Sequence, residues 1–275
     1  MQKGNKVEGG KGVRPNYKNW VPKGMIFGLA AGTAVSLAAL LVFGVFGTGV
    51  QGVLRAVLSA VFGIAFLVCG KYTLWCIEAY QAFSYDGSRR LSKRIVEGTA
   101  TYIHLPQGGT GLDVGCGSGA LTIACAKRNP QGKMVGIDRW GKEYASFSLP
   151  LCQRNAVAEG VTNTSFQRGD AAKLAFPDET FDAVTSNYVY HNITGADKQK
   201  LLLETLRVLK KGGTFAIHDL MSPNRYGDMQ AFVSNLRNQG FEKVELINTA
   251  DGTFMQPQEA KRLMLLGSTL LVGKK

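Results

Sequence analysis

Histidine and paired cysteine are what this chain has least of. Three histidines and five cysteines serve 275 residues. No two cysteines form a C-x-x-C pair, and none stands at ligand spacing from a histidine, which argues against the common zinc sites. No metal is expected. Cys69, Cys76, Cys116, Cys125 and Cys152 are scattered and odd in number, which points to reduced thiols rather than a disulfide framework. Acidic residues are scarce as well: 20 Asp and Glu against 32 Lys and Arg leave a net charge of +12. Evenly spread, that excess would suggest nucleic acid. Residues 1–104, however, hold 12 basic and 4 acidic side chains, whereas residues 105–275 hold 20 and 16. The excess belongs to the first part of the chain, so no nucleic-acid partner is expected.

Charge is missing altogether from Gly24 to Leu54. Met25 to Phe46 gives 22 residues, enough at ~1.5 Å each to cross a ~30 Å hydrocarbon core. After Arg55 the apolar run resumes, from Ala56 to Gly70, with Lys71, Tyr72 and Trp75 beyond it. Gly47–Gly52 reads as a turn. These features predict a two-helix membrane hairpin over 24–78, with Arg55 snorkelling to one face and Lys71 to the other. A buried soluble hairpin is the competing reading; a cleaved signal peptide fits less well, because no A-x-A site follows. Lys3, Lys6, Lys11, Arg14, Lys18 and Lys23 precede the first span, and Arg89, Arg90, Lys93 and Arg94 follow the second. By the positive-inside rule both termini and the following domain face the cytoplasm. Residues 1–23 read as a disordered basic tail whose partner is anionic lipid. Gly28, Gly32 and Ser36 form a small-residue stripe that would pack on Ser59 and Gly63 or make a homodimer. Residues 79–104 are expected to be a juxtamembrane linker and an amphipathic helix, carrying Leu91, Ile95, Val96 and Tyr102, that caps a ligand.

The densest signal lies in Gly111-Leu-Asp-Val-Gly-Cys-Gly-Ser-Gly-Ala-Leu121. A short apolar run enters glycines, Gly115, Gly117 and Gly119, which open an apolar-periodic helix. Such a turn lets backbone approach a ligand beside exposed helix N–H groups. Gly115, Gly117 and Ala120 also satisfy the loose dinucleotide pattern, so the glycines alone do not name a cofactor. Asp113 stands two residues before the first glycine. Asp138, 19 residues past Gly119, ends a second apolar run, where a carboxylate accepts the hydroxyls of a ribose. A third segment carries Asp170 and Ala171, and a fourth, Asp182–Asn187, ends in Asn187.

At these residues, and through FPDETFDAVTSNYVYHNI and LLETLRVLKKGGTFAIHDL, the chain resembles the class I S-adenosylmethionine-dependent methyltransferases, notably the group that includes quinone-biosynthesis enzymes. The resemblance covers about Ile95 to Lys275. It implies a Rossmann-like, seven-stranded, mostly parallel α/β sheet over residues 105–275, with an antiparallel last strand. It also implies that Gly115, Gly117, Gly119 and Asp113 hold the methionine portion of S-adenosylmethionine. Asp138 would take the ribose, Asp170 and Ala171 the adenine, and Asn187 would face the methionine portion. The connection Lys142–Gly160, expected to be helical around Pro150, is longer than usual in that group.

A proton acceptor is open between two histidines. His191 and His218 follow the fourth and fifth strands, where open α/β sheets bind ligands; each could equally be a packed residue. His104 reads as structural. Cys116 could be reactive at a helix N-terminus but reads better as a small residue filling its slot. The expected function is a membrane-anchored methyltransferase acting on a small lipid-like acceptor. A soluble acceptor and a non-catalytic cofactor-binding module are the alternatives. Removing residues 1–78 is expected to leave cofactor affinity intact.

Overall fold

The apolar runs form the first two helices of the chain. Helix α1 (Lys23–Ala39) continues into a π-helical stretch, Leu40–Val45, and α2 (Gly52–Phe83) returns after the turn. The two helical segments, of 23 and 32 residues, are each long and apolar enough to cross a membrane. Phe27, Val35, Phe46, Val53, Ile64, Leu67 and Leu74 stand exposed along them. Arg55 stays exposed beside the turn and caps the end of the first helix. Its Nε donates to the Gly44 carbonyl at 2.9 Å and Nη2 to that of Val45 at 2.8 Å. The cation thus closes the carbonyl end of the first helix, where backbone acceptors lack partners and the dipole is negative. The expected small-residue stripe holds in part: Gly32 and Ser59 lie in the helix contact and Ser36 is buried, whereas Gly28 and Gly63 are open. A Cβ at Gly32 would meet Cys69 Sγ at 3.4 Å and one at Gly44 would meet Ser59 Oγ at 2.8 Å, whereas Gly28 and Gly63 have nothing within 4 Å. The seam therefore runs through Gly32–Cys69, Thr33–Thr73 and Gly44–Ser59.

This computed structural model of the chain describes residues 14–141 and 145–275, in two units: Asn19–Lys93, and the residues up to Lys18 together with Arg94–Lys275. The expected disordered tail is corrected for residues 14–22; residues 1–13 lie outside the described ones. Asn19 Nδ2 donates to the Tyr80 carbonyl at 2.7 Å, and the Trp20 ring lies 5.1 Å from that of Phe83. Aromatic side chains, which are few in disordered segments, give these residues something to pack on.

After α3 (Leu91–Ala100) come β1 (Thr110–Val114), α4 (Ala120–Arg128), β2 (Lys133–Asp138), α5 (Leu149–Ala158), β3 (Thr164–Arg168) and β4 (Phe181–Asn187). They are followed by α6 (Lys198–Arg207), β5 (Leu209–Leu220), α7 (Pro223–Tyr226), α8 (Met229–Asn238), β6 (Glu242–Asn248), α9 (Pro257–Arg262) and β7 (Ser268–Lys274). The strands lie in the order β3-β2-β1-β4-β5-β7-β6. β1 to β5 pair in parallel, and β7 runs antiparallel between β5 and β6. This is the expected Rossmann-like, mostly parallel seven-stranded sheet. Its central strands read as apolar because both faces are covered; Leu112, Val114, Val184 and Ile217 are fully enclosed. Helix starts follow their caps: the Asp197 and Asp228 side chains accept the N–H groups opening α6 and α8, as N-cap carboxylates do. The helix expected over Lys142–Gly160 begins only at Leu149, with Ser148 as cap and Pro150 in its first turn, where a missing N–H is harmless. Lys142 to Tyr144 lie outside the described residues. In α3, Gly98 packs on Phe254, whose ring would stand 2.4 Å from a Cβ there.

Candidate functional site

Five parallel strands bring their C-terminal ends to one edge of the sheet, and the glycine loop leaves β1 there. Gly115, Gly117 and Gly119 have φ of +75°, +54° and +82°, a region that L side chains avoid. They are not equivalent. A Cβ at Gly115 would meet Val189 Cγ2 at 2.3 Å and one at Gly119 would meet the Phe166 ring at 3.0 Å, whereas at Gly117 nothing is nearer than Phe147 at 3.7 Å. Gly117 is the open position; the other two admit neighbouring side chains. The Gly117 N–H donates to Asp138 Oδ2 at 2.9 Å, and Asp138 Oδ1 accepts the Trp140 N–H at 2.6 Å. The Trp140 indole folds back, and its Nε1 donates to the Gly117 carbonyl at 2.9 Å. Trp140 has φ +45°, a left-handed backbone that this contact supports. Trp140 was not expected here from sequence; an aromatic two residues after the acid is its one local signal.

Asp113 lies behind the loop, 1% exposed, and accepts the Thr122 hydroxyl at 2.6 Å. Burial pushes its carboxyl up to about 7; the Asp138 charge adds to the rise and the Thr122 hydrogen bonds oppose it. Burial also holds the Cys116 thiol well above its usual range, so it is an unreactive small residue. Asp170 is exposed, its Oδ1 accepting the Ala172 N–H at 2.9 Å, beside buried Ala171.

A second cluster forms at the ends of β4 and β5. His191 Nδ1 and Asp219 Oδ1 are 2.5 Å apart. The other Asp219 oxygen accepts the N–H groups of Tyr190 at 2.8 Å and His191 at 3.2 Å. Burial alone would raise the Asp219 carboxyl, but His191 and the backbone N–H groups outweigh it and hold it below the usual range. His191 keeps 16% of its side chain exposed. His218 is different. It is fully enclosed, with Nδ1 2.8 Å from Asn187 Oδ1 and Nε2 2.7 Å from Thr249 Oγ1. Burial lowers its pKa to about 3, against the nearby Asp219 charge. Both nitrogens are taken and the ring stays neutral, so His218 orients Asn187. Between the histidines Tyr188 has φ +54°, a strained value for a bulky residue. Its hydroxyl lies 2.6 Å from Ser268 Oγ. Tyr188 and Ser268 were not singled out by sequence as a pair, because 80 residues separate them. An open depression of about 620 Å³ lies elsewhere on the rim, lined by Met221, Met229, Leu246 and Thr269 among others; none of the residues above lines it.

A bare-backbone turn with a carboxylate beside it fits a ligand that carries a diol. Strand order defines a Rossmann-like fold. Residues 106–264 match the methyltransferase-domain family, more than half of the chain, and the protein belongs to that family. It is 31% identical over 131 residues to the demethylmenaquinone methyltransferase of Geobacillus stearothermophilus, covering 47% of this chain and 53% of that one. It is 33% identical over 123 residues to the 2-phytyl-1,4-naphtoquinone methyltransferase of Thermosynechococcus vestitus, covering 44% and 51%. The chain thus spans about half the length of the curated relatives it matches. Among solved structures, the [4+2]-cyclase SpnF shares the fold with a TM-score of 0.52 at 20% identity, covering 70% of this chain and 85% of that one. Fold alone does not fix the reaction.

Proposed function

We propose that this chain is a membrane-anchored methyltransferase that uses S-adenosylmethionine and methylates a quinone-like, lipid-borne acceptor. The observation that carries the cofactor is the open Gly117 turn tied through its N–H to Asp138. In this reading Asp138 receives the ribose, Asp113 offsets the amino group, Asp170 and Ala171 flank the adenine, and Asn187 faces the methionine portion. When bound, the cofactor supplies an already activated methyl group. The protein's task is then to align the acceptor and take its proton. His191 is the group for that task. Asp219 stays ionised and holds the Nδ1 proton, which leaves Nε2 to accept a proton from an acceptor hydroxyl or activated carbon. His218, enclosed and neutral, positions Asn187 rather than acting as the base.

The acceptor class is supported by the substrates for which the two relatives are named, and the anchoring by the exposed apolar length of α1 and α2. An apolar surface of that extent calls for lipid or a protein partner. The basic flanks fit anionic headgroups and the cytoplasmic face; a homodimer through the hairpin is the protein alternative. The test is incubation of the purified full chain with labelled S-adenosylmethionine and total lipid extract, followed by mass analysis. A methylated quinone-like lipid is the expected product. Product only from the water-soluble metabolite fraction would favour a soluble acceptor, and none from either would favour a binding module. His191→Ala should lower turnover and leave cofactor affinity unchanged. Asp138→Ala should weaken cofactor binding at least about tenfold, the loss of charge-assisted hydrogen bonds. Tighter binding of NADH than of S-adenosylhomocysteine would overturn the cofactor.

A further inference from the structure

Asn155, in the middle of α5, is 2% exposed and uses its side-chain amide in two directions. Oδ1 accepts the Asn16 N–H at 2.8 Å, and Nδ2 donates to the Asn16 carbonyl at 3.1 Å. The amide therefore pairs with the backbone of one residue as a neighbouring strand would. The same Nδ2 donates to the Ser118 carbonyl at 2.9 Å. Ser118 lies between Gly117 and Gly119, the left-handed residues of the cofactor loop. One turn further on, at the C-cap of α5, Glu159 accepts the Tyr17 hydroxyl at 2.9 Å and pairs with Lys127. Tyr17 is buried. The residues just before the first apolar helix are thus fastened to α5 at two points, and one of those points ends on the glycine loop.

A primary amide rotates freely unless both its ends are occupied. The pairing with Asn16 fixes the plane of Asn155, and that plane aims its second N–H at Ser118. Without Asn16, a 2%-exposed amide would have to reorient to satisfy Oδ1, and Ser118 would lose its donor. A carbonyl in a loop of left-handed glycines has few other ways to be held in place.

We propose that the segment Arg14–Lys18 is a strap that sets the cofactor loop, with Asn155 the positioning residue that transmits it. Cofactor affinity then depends on chain that leads directly into the membrane helices, against the expectation that residues 1–78 are dispensable for binding. The inference rests on the methyltransferase reading for the identity of the ligand, not for the contact itself.

The full chain in detergent micelles is titrated with S-adenosylhomocysteine by calorimetry, and amide hydrogen exchange is followed over Gly115–Leu121 without ligand. Asn155→Ala should raise Kd about three- to tenfold, as expected for a lost hydrogen bond, and speed exchange in the loop. Deleting residues 1–18 should do the same, and the double variant should be no worse than either alone, since both act through one path. Asn155→Asp keeps size and one acceptor but loses both donors; it should bind as weakly as Asn155→Ala. A wild-type-like Asn155→Asp would reduce the residue to packing, and unchanged Kd and exchange after the deletion would overturn the strap. Failure of the unaltered chain to bind S-adenosylhomocysteine would instead fault the cofactor assignment, leaving the exchange result to judge the strap.

Discussion

At the scale of single residues, charge and backbone conformation decide the site. Asp113 is a carboxyl whose burial lifts it to about 7, well above the ~3.9 of an unfolded chain. Between those values the folded chain binds the extra proton, so its stability falls as pH rises through that window. Asp113→Asn keeps an acceptor for Thr122 and carries no charge. Without cofactor, its stability relative to the unaltered chain should improve from pH 4 to about pH 7 and level off above that, read from urea midpoints. A difference that stays constant with pH would place the carboxyl in its ordinary range. Gly115 gives a second prediction. Its left-handed backbone costs an L residue ~1–2 kcal/mol, and a Cβ would also collide with Val189. Gly240, at φ +94° with nothing within 4 Å, isolates the backbone part. Gly115→Ala should therefore lower the urea midpoint clearly more than Gly240→Ala, and only Gly115→Ala should also weaken cofactor binding.

Among the elements, the hairpin shows how one side chain closes a helix end. Arg55 is the lone charge near the turn, and from its exposed position it donates to two carbonyls at the end of the first helix, those of Gly44 and Val45. Hydrogen bonds from a charged donor contribute up to ~1.5–3 kcal/mol, less where water competes. Arg55→Leu should destabilise the hairpin by no more than about that much in a micellar unfolding titration, with Arg55→Lys in between. A neutral or stabilising Arg55→Leu would show that the cap contributes nothing. Helix α8, Met229–Asn238, begins where its apolar period and the Asp228 cap agree. The connection before α5 was misread because a composition without breakers before Pro150 does not say where helix begins.

On the scale of the whole molecule, the arrangement of charge along the chain predicts its topology. Ten basic residues flank the two apolar helices and Arg55 alone lies near their turn, so both ends should face the cytoplasm. In intact cells, with Cys69 replaced by alanine, a membrane-impermeant thiol reagent should label a cysteine placed at Gly49 and spare one placed at Gly10. The opposite pattern would invert the orientation, and release of the chain by carbonate would remove the spanning hairpin.

Local pattern was sufficient for much of this protein. The apolar length of α1 and α2, the glycine turn after β1, the acids at the ends of β1 and β2, and the strand–helix alternation are all properties of neighbouring residues. Burial and backbone geometry act on them directly, so the sequence by itself determined the fold class and the place of the glycine loop. What only the tertiary structure decided are pairings between distant residues. The two histidines look alike in sequence, yet His191 meets a buried Asp219 and keeps an open side, while His218 is walled in by Asn187 and Thr249. Asn16 and Asn155 are 139 residues apart, and nothing in either segment's composition announces the other. Periodicity reports which face of an element is buried; which polar group meets which depends on how the chain returns through space.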